Sequence, residues 1–271
     1  MIGCKGNNPV SPNPTETIIP KTTKAIDEKN IQNILSVDST TLVFSQSSTF
    51  LEQVSVGDII VSGTTPKAPH GFLRKVVSKS QEENKIIIQT TQAKLTEAIQ
   101  QGSVLVSRSL TPADTTSFTI EKGLIVHQVP DDGFNLTINT ILFDGDGNRN
   151  TTNDQIRASG SISFNLTFNF EYAIKNHNVE SLVFKVSAIE SKSLTVSTEV
   201  QFLNASKKFP IARWKFKPIV IFIGYVPIVI TPTITLYLGL DGNLSLSMEA
   251  GYDARNSYGG FILSKWAMEQ N

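Results

Sequence analysis

From about residue 134 the chain alternates apolar and polar side chains over unusually long runs. "FNLTINTILF" puts Phe134, Leu136 and Ile138 on one side, and "SISFNLTFNFEYAI" does the same with Ile162, Phe164, Leu166, Phe168, Phe170, Tyr172 and Ile174. Ser, Asn, Thr and Glu fill most of the opposite positions, and "SLVFKVSAI" and "SLTVSTEVQF" repeat the theme. A period of two means strands with one buried face, the mark of an antiparallel sheet. "LYLGLDGNLSLSM" adds a hairpin with the tight-turn pair Asp241-Gly242 at its tip. Residues 113–271 are thus expected to form an antiparallel β-sandwich or barrel of about eight strands.

The first part of the chain has shorter segments. "TTLVFS", the apolar "VSVGDIIVSG", a hairpin made by "GFLRKVVSKS" and "NKIIIQTT", and "SVLVSRSL" read as strands. "TQAKLTEAIQQG" reads as a helix, capped by Thr90 or Thr91, with Leu95, Ala98 and Ile99 on one face and Gly102 as its stop. Residues 21–112 are therefore expected to be a small β-rich module with one helix, divided from the rest near "TPADTT" (111–116). Overall the fold class is mainly β. One segment competes with it. Pro218 to Leu240 carries no charge and has the length of a membrane helix. Pro218, Pro227 and Pro232 interrupt it and β-branched residues dominate, so buried strands bent at prolines are expected instead.

Composition adds compartment rather than activity. The 24 basic and 24 acidic residues cancel, which leaves no electrostatic footprint for nucleic acid. Charged residues are only 18 % of the chain, and a hydroxyl- and amide-rich surface suits an extracellular β protein. The single cysteine rules out an intramolecular disulfide. It stands in "MIGCKGNNPVSPNPTET", where an apolar pair and a glycine precede Cys4 and a Pro/Asn/Ser/Thr stretch follows. Residues 1–20 read as a flexible tether.

Candidate chemistry is sparse. There is no G-x-S-x-G elbow, phosphate-binding glycine loop, H-E-x-x-H or C-x-x-C, and His70, His127 and His177 are scattered. Arg74 and Lys75 stand beside a turn, where they serve either a carbohydrate or phosphate contact or a solvated hairpin face. The nearest thing to a site is "FDGDGNRNTTNDQIR", residues 143–157. Asp144, Asp146 and Asn148 fall at alternate positions, Asn150 can add a carbonyl oxygen, and Asp154 can close the shell, the pattern by which a short loop supplies oxygens to calcium. "DGDGN" is similar to Asp-rich calcium loops. Arg149 replaces the usual glycine and Gln155 the bidentate glutamate, which excludes a helical EF-hand. Two readings stand: a β-hairpin calcium loop, or a polar hairpin tip built from residues a turn also needs. Five Asn-x-Ser/Thr tripeptides, at Asn135, Asn150, Asn165, Asn204 and Asn243, read mainly as products of a Ser/Thr/Asn-rich sheet face.

"MIGC" resembles the end of a bacterial lipobox, and with "VGDIIVSG", "GFLRKV" and "TTQAKLTEAI" the chain resembles bacterial cell-surface lipoproteins with β-rich modules. The resemblance implies lipidation at Cys4, an export segment upstream of Met1 and an extracytoplasmic place on the cell envelope. "NSYGGFILSKWAMEQN" starts an apolar segment and stops without a turn, as a chain cut within a longer protein would. The expected function is non-catalytic binding or scaffolding (adhesion) toward a surface protein or carbohydrate, with the membrane reached through the lipid and no nucleic-acid partner. The rival classes are an apolar-ligand (lipid) carrier in a barrel or groove, an outer-membrane β-barrel, and, last, an enzyme.

Overall fold

The computed structural model describes residues 16–45, 47–120, 124–128, 133–198, 207–241, 243–252 and 266–267. Cys4 and the rest of residues 1–15, Asn204, Gly242 and most of the segment after Tyr252 lie outside the described residues, as does the side chain of His127. The protein is mainly β, with several sheets, one of them curled into a half-barrel.

The first sheet is built by β1 (Thr23–Ala25), α1 (Glu28–Ile31), β2 (Ile34–Val37), β3 (Thr41–Phe44), α2 (Thr49–Glu52), β4 (Ile59–Ser62), β5 (Phe72–Glu82), β6 (Lys85–Gln92) and α3 (Leu95–Ala98). Its six strands run in the order β1-β4-β5-β6-β3-β2. β4 is buried along its whole length because both faces are covered: Ile60 joins Leu42, Phe44, Leu51, Phe72 and Ile88 in one core, while Ile59 and Val61 join a second. That two-sided burial is why Ile59, Ile60 and Val61 form a continuous apolar run rather than an alternating one.

The three α-helices among the described residues are single turns, so the longer helix expected at 91–102 is corrected. Thr90 and Thr91 are not its cap. They belong to β6, opposite Val76 and Lys75, where β-branched side chains suit a pleated surface. The turn that does form at α3 is held by the Glu97 carboxylate, which accepts the Lys94 N–H at 2.9 Å. Gly102 is a glycine for space rather than as a helix stop. A Cβ there would lie 2.7 Å from Ile223.

The chain continues through β7 (Gly102–Leu110), β8 (Thr115–Ile120), β9 (Leu124–Gln128), β10 (Phe134–Asp144), β11 (Gln155–Lys175) and β12 (Asn178–Thr198). β11 pairs β12 along nearly its full length, and Asn176 and His177 form the two-residue tip with φ of 48° and 63°. Positive φ at both positions is what the right-handed twist of a two-residue hairpin asks for. On its other edge β11 pairs β10 up to Phe164 and β7 from Leu166 onward, so β7 and β10 line that edge end to end. The alternation seen in the sequence is realised here, since Ile162, Phe164, Leu166, Phe168, Phe170, Tyr172 and Ile174 are all buried.

The last strands are β13 (Lys207–Phe216), β14 (Ile219–Ile223), β15 (Val226–Ile230), β16 (Pro232–Asp241), β17 (Asn243–Tyr252) and β18 (Trp266–Ala267). The sheet β18-β17-β16-β13-β8 turns Trp214, Phe216, Leu236 and Leu238 inward. Phe134 and Phe164 stack at 5.2 Å, and Trp214 meets both rings edge-on at 5.5 Å. Such edge-to-face packing adds to the area term that holds two sheets together. The apolar 218–240 segment forms the β14–β15 hairpin and β16, as its prolines require. Pro218 precedes β14, Pro227 sits opposite Phe222, and Pro232 opens β16. Among the described residues no helix is long and apolar enough to cross a membrane, a statement that does not bear on strands.

Two features bear on how the chain divides. β7, which falls within the 21–112 segment, is hydrogen-bonded to β11, and Ile59, Val61, Leu73, Leu95 and Ile99 share one core with Phe168, Tyr172, Trp214 and Ile228. The expectation of a separate 113–271 unit does not account for either. Within the 1–20 tether, residues 16–20 run against the fold: the Ile18 N–H donates to the Gln101 carbonyl at 2.8 Å, and Ile19 packs on the core.

Candidate metal centre

The loop joining β10 to β11 is closed by the facing pair Asp144 and Gln155. Two glycines shape it. Gly147 has φ of +71°, and a Cβ at Gly145 would lie 3.0 Å from Asp154 Oδ2, so "DGDG" is dictated by backbone geometry as well as by any ligand. The Asp146 carboxylate accepts the Asn148 N–H at 2.7 Å and the Thr151 hydroxyl at 3.1 Å. Asp154 Oδ2 accepts the Asp146 N–H at 2.6 Å, and Asp144 Oδ2 accepts the buried Gln155 amide at 3.1 Å.

These contacts gather three carboxylates. One oxygen each from Asp144, Asp146 and Asp154 can be chosen so that all lie within 4.8 Å of one another. Asp144 Oδ1 and Asp154 Oδ1 are shut off from solvent without a hydrogen-bond partner. The Asn148 N–H, ahead of the other contacts, holds the Asp146 carboxyl below the usual carboxylate range. Anionic oxygens crowded this closely repel one another, and a hard cation relieves both the repulsion and the missing partners. The triad could hold a metal ion.

The other two expected ligands are placed differently. Asn148 acts as a strut: its Oδ1 accepts the Asn150 N–H at 3.2 Å and its carbonyl accepts the Thr151 hydroxyl at 2.7 Å. Asn150 enters this network through its N–H. Thr151 and Gln155 are the contributors that the sequence reading missed. Gln155 is buried, and Arg157 Nε donates to its Oε1 at 2.9 Å, which orients the amide toward Asp144. An amide can do this only in the folded hairpin, so no local pattern announces it.

The remaining candidates stay apart. His70 Nδ1 lies 3.3 Å from the Thr231 hydroxyl, while His177 Nδ1 lies 2.7 Å from the Thr96 carbonyl. Arg74 and Lys75 separate onto opposite faces of β5. Arg74 is buried rather than solvated, donating to Gln92 Oε1 at 2.9 Å, and burial pushes its pKa down against the opposing charge of Asp38. Lys75 is exposed and pairs with Glu97 at 3.1 Å.

Compared with known proteins, the chain matches no protein-family model, no curated protein and no solved structure.

Proposed function

We propose that this is a non-catalytic binding or scaffold protein of the bacterial cell envelope, tethered through a lipid on Cys4, with calcium bound in the β10–β11 loop. The observation that carries the calcium reading is the pair of partnerless, solvent-shielded oxygens on Asp144 and Asp154. The binder reading is supported by the interior, where Trp214 meets Phe134 and Phe164 of the facing sheet edge-on at 5.5 Å. It follows that sheet faces and loops offer the surface for a partner protein or carbohydrate.

Calcium at a few times its dissociation constant is expected to stabilise the fold by about 1 kcal/mol, which raises Tm by roughly 2–4 °C for a chain of this size. Asp146→Asn keeps an acceptor for the Asn148 N–H but removes a charge, and should abolish the increment. A melting temperature indifferent to millimolar calcium would return the loop to a hydrogen-bonded hairpin tip.

The tether is tested separately. Expressed from its native locus, the protein should sediment with membranes, and Cys4→Ser should release it, because the acyl chains supply the anchoring energy. An unchanged distribution would overturn the lipid anchor.

A further inference from the structure

The β14–β15 hairpin has a packed base and an apolar tip open to solvent. Ile219, Ile221, Ile223 and every residue of β15 are buried. At the tip, Gly224, with φ of +59°, and Tyr225 turn the chain. Phe222 is 58 % exposed and Tyr225 48 %, the two highest values for aromatic side chains among the described residues. β7 runs against β14, and on it Leu105 is 69 % exposed. Val104 and Val106 pack on the core, so the alternation of a strand turns Leu105 away from it. Single exposed apolar side chains are ordinary. Three large ones on adjoining strands, two of them aromatic, mark a contact surface for a protein or a membrane.

The path of the N-terminal chain decides between the two. A Cβ on Gly224 would lie 3.1 Å from the Thr17 methyl and 3.3 Å from Ile19, so residues 17–19 pass directly over the turn. The Tyr225 hydroxyl donates to the Thr23 carbonyl at 3.1 Å, which ties the tip to the same stretch. The segment leading to Cys4 thus leaves the described fold beside the exposed rings. Cys4 stands twelve residues before Glu16, a separation that no chain can stretch beyond about 43 Å.

We propose that this tip is a membrane-docking surface: with a lipid on Cys4 held in a bilayer, Phe222, Tyr225 and Leu105 settle into the headgroup region beside the anchor. The proposal rests on the lipid-anchor reading and adds which face of the protein meets the membrane. Aromatic rings suit that boundary, and tyrosine brings a polar end to its wet side. Three side chains alone would hold a free bilayer weakly. The anchor makes the contact intramolecular, at a high effective concentration.

The test couples the purified full chain through Cys4, its one cysteine, to a maleimide phospholipid in vesicles of phosphatidylcholine and phosphatidylglycerol. Phe222→Trp adds an indole at the tip, and its emission is read as the difference from the parent chain. Lipids brominated near the headgroup should quench most of that added emission. Glu82→Trp, at the exposed tip of the β5–β6 hairpin, should add an indole that they leave unquenched. Both positions are exposed, and unfolding midpoints equal to the parent's would show that the variants are folded. Quenching at position 222 no greater than at position 82, zero included, would overturn the proposal and leave the surface to a protein partner. The chemical anchor makes this result independent of cellular lipidation, which the Cys4→Ser distribution tests by itself.

Discussion

Residues 117–271 expressed without the preceding chain are expected to show no cooperative unfolding transition. The cut removes β7, and with it nine paired positions from Leu166↔Leu110 to Ile174↔Gly102 along β11. That strand edge would then present unpaired backbone groups next to Phe168, Phe170 and Tyr172, which are buried in the intact fold. The damage extends to the β14–β15 hairpin. Ile223 packs within van der Waals reach of Gly102, and Val220 and Pro227 lie beside Gly63, so the cut bares a hairpin that is apolar on both faces. Exposed surface of that kind favours aggregation over folding. Calorimetry or a denaturant titration followed by circular dichroism would decide the matter. A sharp transition with a slope suited to its size would mean that residues 113–271 are a folding unit after all.

The second large effect is at Trp214. It is fully buried and touches Phe134 and Phe164 on the opposite sheet, so Trp214→Ala should destabilise the fold by about 3–5 kcal/mol through lost burial and the cavity left behind. Trp214→Phe should cost far less. The indole Nε1 is buried without a hydrogen-bond partner, and removing it relieves a desolvation penalty of about 1–3 kcal/mol that offsets part of the lost volume. Denaturant midpoints of the two variants test this. Equal losses would show that the ring's size, and not its orphaned N–H, sets the energetics there.

The prolines at 218, 227 and 232 and the alternating stripe at 162–174 made strands of both segments readable from sequence alone, because each depends on the backbone's own geometry. Proline cannot continue a helix, and a period of two places one side chain in every pair on the same face whatever lies opposite. The acidic loop was legible for a similar reason. Asp144, Asp146 and Asp154 lie within eleven residues of one another, and a hairpin tip brings such neighbours together without help from the rest of the chain.

Other features were decided only by the tertiary structure. "TQAKLTEAI" has helical spacing, yet its first two residues, Thr91 and Gln92, belong to β6, because pairing with β5 outweighs the small intrinsic preference of a few residues. The tie between β7 and β11 joins positions about sixty residues apart. Local periodicity records which face of a strand is apolar, but not which distant strand covers it. That choice is made by the packing of whole sheets, where the aromatic positions of Phe134, Phe164 and Trp214 must interlock at once.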